Sequence, residues 1–176
     1  MEFQPCAVSG AFVILPQPRA DDRGLFARAW CANELARHGL VDHVAQVNVA
    51  QSHRAGTLRG MHYQQAPHGE VKIVRCNRGT AFDVVLDLRP LSPSYKRWFG
   101  VELSETNGRM LYVPEGCAHG YQTLSDGTEV MYFTSAFYAP AAATGVRYDD
   151  PAFGIEWPRA VTALSEQDRG WPDFKD

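Results

Sequence analysis

The residues best suited to chemistry fall in one stretch, GTLRGMHYQQAPHGEVKIVRC at 56–76, which carries Arg59, His62 and Lys72 within fourteen residues. An imidazole titrates near neutrality and can take or give a proton, while a guanidinium and an ammonium can hold an anion. They are interleaved with Leu58, Met61, Ile73 and Val74, side chains that belong in a core. An unpaired buried charge costs several kcal/mol as an order of magnitude. Either the three point outward as ordinary surface charge, or they line a cavity whose occupant needs them.

The elements that must position these groups are mostly strands. HVAQVNVAQSH alternates, and VKIVRC, TAFDVVLDL, RWFGVELS, RMLYVP and EVMYFTSAFY are short runs rich in β-branched and aromatic residues. NRG at 77–79, ETNG at 105–108 and SDG at 125–127 supply the turns between them. One helix is expected early, in CANELARHGL, with Asn33 as its cap and Gly39 as its end. Many short strands without interleaved helices predict an all-β sandwich or barrel and argue against a parallel α/β sheet. The Pro- and Trp-containing tail DDPAFGIEWPRAVTALSEQD is expected to pack over the barrel as irregular or short helical structure. The whole of 1–176 reads as one domain, since no repeat, low-complexity tract or linker divides it. AFVILP and LFARAW are expected as apolar early strands available for pairing across a two-fold.

Bulk properties limit the function. A hydrophobic content of 45% and a charged content of 21% are globular values, and the net charge of −3 offers no basic footprint for nucleic acid. There is no basic leader and no apolar run near the roughly 20 residues a spanning helix needs, so a cytoplasmic location is the expectation. The four cysteines, Cys6, Cys31, Cys76 and Cys117, form no CxxC pair and read as free thiols.

Two spacings are finer. Gly56 and His62 match the start of the first cupin motif, and Gly108, Pro114, Gly116 and His119 match the second. That resemblance implies a double-stranded jelly-roll barrel with an interior pocket. A metal-binding cupin carries two histidines two apart on one strand, so that both point inward. Here the second position is Gln64, and the motif's acidic position is Lys72, an ammonium that would repel a cation. The expectation is no metal.

The segments DDRGLFARAW, QVNVAQSHRAGTLRGMHYQ, VKIVRC, FDVVLDLR, YVPEGCAHGYQTLSD, MYFTSAFYAP and ALSEQD, in that order over roughly 21–168, resemble successive signatures of the dTDP-4-dehydrorhamnose 3,5-epimerase family. LRGMHYQ and VPEGCAHGY are the specific ones. The resemblance implies a cofactor-free cupin homodimer acting on a nucleotide sugar, most simply dTDP-4-keto-6-deoxyglucose or a derivative. It further implies catalytic roles for His62, Tyr132, Asp168 and Lys72. Substrate contacts follow at Arg23, Phe26, Arg28, Gln46, Asn48, Arg59, His119 and Tyr138, with Arg23 on the diphosphate and reaching the partner's ligand.

The chemistry agrees with those residue types. Inverting a carbon beside a ketone removes one α-proton and returns a proton to the opposite face. That takes a base, an acid across the ring and a cation at the developing enolate oxygen. His62 suits the base by type, and the resemblance implies Asp168 behind it, Tyr132 as acid and Lys72 as enolate partner. The chain departs from the family at Arg28, where the rhamnose-pathway enzymes usually carry Glu near the nucleotide base. Its NVAQSHRAG segment also lacks their serine-rich spelling and runs one residue longer. Three alternatives stand beside the 3,5-epimerase: an epimerase inverting a single position of a modified or differently based sugar nucleotide, a metal-dependent cupin oxygenase or isomerase, and a non-catalytic sugar-nucleotide module. His43, His53 and His68 carry no assigned role and are expected to be exposed.

Overall fold

A computed structural model describes residues 1–175. Its strands in chain order are β1 (Glu2–Pro5), β2 (Phe12–Leu15), β3 (Arg19–Asp21), β4 (Gly24–Phe26), β5 (Gln46–Ser52), β6 (Leu58–Gln64) and β7 (Lys72–Arg78). They continue with β8 (Thr80–Asp87), β9 (Trp98–Ser104), β10 (Met110–Val113), β11 (Cys117–Thr123), β12 (Thr128–Thr134) and β13 (Ala143–Gly145). Two short helices are α1 (Ala32–Arg37) and α2 (Glu166–Arg169). The strands form a six-stranded sheet, β1-β2-β10-β7-β12-β5, and a five-stranded sheet, β13-β6-β11-β8-β9, with β3 and β4 as a separate hairpin. All named pairings are antiparallel. This is the all-β jelly roll that the cupin spacing implied.

One end of the space between the sheets is filled by apolar side chains. Val74, Cys76, Leu111 and Val113 of one sheet pack against Ala81, Val85, Leu103 and Cys117 of the other. Both sheets are also covered outside. Leu35 of α1 closes over Ile14, Ile73, Met110 and Tyr112, and the tail brings Phe153, Trp157 and Phe174 against Met61, Val84 and Leu86. That double cover explains why TAFDVVLD reads as a nearly continuous apolar run. Its Ala81 and Val85 face the interior, while Val84 and Leu86 lie under the tail. The four cysteines are free, and His43, His53 and His68 are exposed.

Several expectations are corrected. Cys31, not Asn33, is the N-cap of α1, and no side chain caps it; Asn33 lies inside the first turn. Gly39 does end the helix, at φ +67. AFVILP forms no edge, because β2 pairs with both β1 and β10. LFARAW is strand only as far as Phe26, and EVMYFTSAFY stops being strand after Thr134. The expected turns form at Gly79, Gly108 and Gly127, which adopt positive φ, a conformation glycine takes without steric cost.

Candidate active site

A cavity of about 830 Å³ opens between the sheets at the end the apolar core leaves free. The five-stranded sheet contributes His62 and His119, which sit directly opposite each other on β6 and β11. The six-stranded sheet contributes Lys72 from β7, Tyr132 from β12 and Gln46 and Asn48 from β5. Period-two alternation accounts for Lys72, since Val74 and Cys76 on the same face of β7 enter the interior core.

Arg59 needs another explanation. It stands three positions before His62, so in a regular strand the two would face opposite ways. The pairing of β6 with β11 matches His62 to His119 but Arg59 to Tyr121, so β6 carries one extra residue. This bulge turns Arg59 to the cavity side. Its guanidinium donates to Ser52 Oγ at 3.3 Å and to the Gln51 carbonyl at 3.0 Å. Gly60 sits in the bulge at φ +128, and a Cβ there would lie 2.5 Å from Gly120 Cα. No larger residue fits without moving one strand off the other.

His62 is oriented by the far end of the chain. Its Nε2 lies 2.5 Å from Asp168 Oδ1, and Asp168 Oδ2 accepts from the Gly60 N–H at 3.2 Å. A carboxylate only accepts, so Nε2 carries the hydrogen, and in the neutral ring it is Nδ1 that keeps its lone pair. The imidazole is 42% exposed, whereas the carboxylate is 4% exposed. Asp168 is held by a strap: Thr162 N–H donates to the Gly56 carbonyl and Leu58 N–H to the Ala163 carbonyl. Ser165 then caps α2 by accepting from Asp168 N–H at 3.0 Å. Burial alone would raise the Asp168 carboxyl, but the His62 hydrogen bond and charge and the Gly60 N–H outweigh it and hold it below its ordinary value.

The opposite wall is cationic and phenolic. Lys72 Nζ lies 3.1 Å from Glu70 Oε1, and both side chains are 11% exposed. Burial pushes the Tyr132 phenol above its usual value; Glu70 adds to this and Arg59 opposes it. Tyr132 therefore stays protonated through neutral pH. Beneath His119 lies a second pair, with Nε2 2.9 Å from Asp83 Oδ1. Asp83 is fully buried, and burial raises its carboxyl against the pull of His119 and Lys72.

Of the residues predicted from sequence, Gln46, Asn48, Arg59, His62, Lys72, His119, Tyr132, Tyr138 and Asp168 line this one cavity. Arg23, Phe26 and Arg28 do not. Arg23 pairs with Asp21 on the β3–β4 hairpin at 2.6 Å, Phe26 is 69% exposed, and Arg28 donates to Glu34 at 2.7 Å. Sequence reasoning missed Glu70 and Asp83. The signal for each was alternation: Glu70 stands two residues before Lys72, and Asp83 lies between the interior-facing Ala81 and Val85. Gln64, at the position where a metal cupin has a ligand, has its amide engaged by backbone groups of His68, Phe137 and Ala139. Lys72, in place of an acidic ligand, is paired with Glu70. These two positions do not fit a metal.

The family model described as dTDP-4-dehydrorhamnose 3,5-epimerase matches residues 5–176. The chain is 41% identical over 179 residues to a dTDP-4-dehydrorhamnose 3,5-epimerase of Sinorhizobium fredii, covering 99% of this chain and 90% of that protein. It is 38% identical over 170 residues to a dTDP-4-dehydrorhamnose 3-epimerase of Streptomyces niveus, covering 96% of this chain and 82% of that protein. Among solved structures, the Bacillus anthracis dTDP-4-dehydrorhamnose 3,5-epimerase with TDP and PPi bound superposes with a TM-score of 0.94 at 36% identity, covering 98% of this chain and 99% of that one.

Proposed function

The chain belongs to the dTDP-4-dehydrorhamnose 3,5-epimerase family, and we propose that it epimerises a dTDP-linked 4-keto-6-deoxyhexose at the carbons flanking the ketone, C3 and C5. The observation that carries this is the opposition across one cavity of a carboxylate-oriented imidazole on one sheet and a protonated phenol with an ammonium on the other. His62 Nδ1 takes the α-proton. Electrons from the broken C–H bond move into an enolate whose oxygen faces the Lys72 ammonium. Tyr132 returns a proton to the opposite face of the same carbon, and proton exchange with water resets His62 and Tyr132. Asp168 holds the tautomer and stabilises the imidazolium.

No cofactor enters this scheme, and activity is expected to survive EDTA. The similarity to the Streptomyces niveus 3-epimerase favours a second reading, inversion at C3 alone. Proton NMR with dTDP-4-keto-6-deoxyglucose in D2O tests both. Deuterium enters at C3 and C5 on the first reading and at C3 only on the second; no exchange with any 4-keto nucleotide sugar overturns the epimerase reading.

The whole chain is read as one catalytic domain that works as a homodimer. Arg23, Leu25 and Phe26 project from the β3–β4 hairpin, and Val47 and Val49 are exposed on the edge strand β5. These features support an arrangement in which Arg23 and Phe26 reach the partner's ligand. A fully active monomer by light scattering excludes it.

A further inference from the structure

Gln64 ends β6, two residues beyond His62, and is 4% exposed. Its Nε2 donates to the carbonyls of His68 at 2.9 Å and Phe137 at 3.2 Å, and its Oε1 accepts from the Ala139 N–H at 2.6 Å. From the other sheet, Gln46 Oε1 accepts from the Tyr138 N–H at 2.7 Å. Three consecutive residues, 137–139, are thus held through their backbones by two glutamines on different sheets. The segment follows β12 and has neither helix nor strand of its own. It carries Phe137 and Tyr138, which are 73% and 66% exposed. Tyr138 and both glutamines line the cavity.

An exposed aromatic on an irregular segment samples many orientations unless its backbone is fixed, and a ligand that meets it must then bear the cost of ordering it. Side-chain amides bonded to successive backbone groups do for this segment what a ladder does for a strand.

We propose that Gln64 is a positioning residue: with Gln46 it fixes Tyr138 as a preformed wall at the mouth of the cavity, so that the sugar nucleotide is received without reordering residues 137–139. This deepens the reading of the cavity as the nucleotide-sugar site and rests on it. Gln64 acts through Tyr138 and not on the reacting carbon, so its loss falls on KM more than on kcat.

Gln64→Met keeps an unbranched side chain and removes all three hydrogen bonds. KM is expected to rise about tenfold while kcat falls by less than about threefold. In a Tyr138→Ala background the same substitution should change KM by no more than about twofold, because its route of action is gone. In the free protein, the Tyr138 and Ala139 amides should exchange hydrogen at least about tenfold faster than in wild type. Should the Met variant not fold, Gln64→Glu, which keeps the acceptor for Ala139 and loses the donors for His68 and Phe137, carries the two KM comparisons, with hydrogen exchange then read at the Tyr138 amide. An unmoved KM, an undiminished KM rise without Tyr138, or unmoved amide exchange overturns the proposal. The exchange measurement needs no substrate, so a failure of the clamp and a failure of the epimerase reading are told apart.

Discussion

His62 Nε2 and Asp168 Oδ1 lie 2.5 Å apart although 106 positions separate them in the chain. The contact depends on a strap bonded to Gly56 and Leu58 and on one turn of helix capped by Ser165. Asp168→Asn keeps the shape but replaces one acceptor oxygen with an NH2 donor, so His62 is no longer held with Nδ1 bare. Proton exchange and inversion should therefore slow together, by roughly 100–10,000-fold. His62→Ala should lose exchange while still binding dTDP. Single-turnover exchange in D2O and a dTDP titration check both; wild-type exchange by Asp168→Asn removes the orienting role.

Tyr132→Phe separates acid from base. The substitution keeps the ring and deletes only the proton donor on the wall opposite His62. The variant should still abstract the α-proton and wash it out through His62, which then returns a proton from the same face. Deuterium incorporation should persist while inversion slows by about 100-fold or more. Inversion at the wild-type rate would require another acid.

Glu70 offers a test by pH. Burial is the larger cause of the raised Tyr132 value, and Glu70 contributes in the same direction. Glu70→Gln removes a negative charge, makes the phenolate less unfavourable and lowers the value, with burial still in place. The alkaline limb of the kcat/KM profile should move to lower pH. An upward shift contradicts this assignment. The variant also frees Lys72 from its 3.1 Å partner, so a fall in kcat at neutral pH should accompany the shift if that pairing orients the ammonium.

These residues differ in how far sequence alone could reach them. Lys72 and Tyr132 stand in regular strands, where alternation with Val74 and with Val130 assigns the inward face. Arg59 could not be assigned that way, because a bulge reverses its face and only the pairing of β6 with β11 reveals it. Asp168 was reachable through resemblance but not through pattern: its segment has no periodicity, and its position follows from bonds to Gly56 and Leu58. Gln64 was read as standing where a metal cupin carries a ligand, yet its partners lie in two irregular segments whose approach no local rule predicts. The start of α1 was misread because Asn33 is the better capping residue by type, while the chain enters the helix extended at Cys31. Arg23, Phe26 and Arg28 lie outside this chain's cavity, and the contacts proposed for Arg23 and Phe26 depend on a second chain.

Asp87 carries the last prediction, on stability. Its side chain is fully buried and bonded to Arg89 Nε and Nη2 at 2.8 Å, Ser92 Oγ at 2.5 Å and Ser94 Oγ at 2.6 Å. Burial would raise its carboxyl, but Arg89 and the two hydroxyls outweigh that and hold it far below the ordinary carboxylate value. A depressed folded value means that the contribution to stability is complete above the unfolded value of about 3.9 and is lost as pH falls through the folded one. Asp87→Asn removes the charge and sets an amide N–H against the arginine or a serine hydroxyl, at a cost of about 2–4 kcal/mol near pH 7. Asp168 also has a depressed value, but it is present in both proteins and cancels in the comparison. Urea denaturation of wild type and Asp87→Asn between pH 7 and pH 3 should therefore show a gap that is constant down to about pH 5 and narrows below pH 4. A gap that stays the same to pH 3 would mean that the shape of residue 87, and not its charge, holds the loop at 88–97 to the barrel.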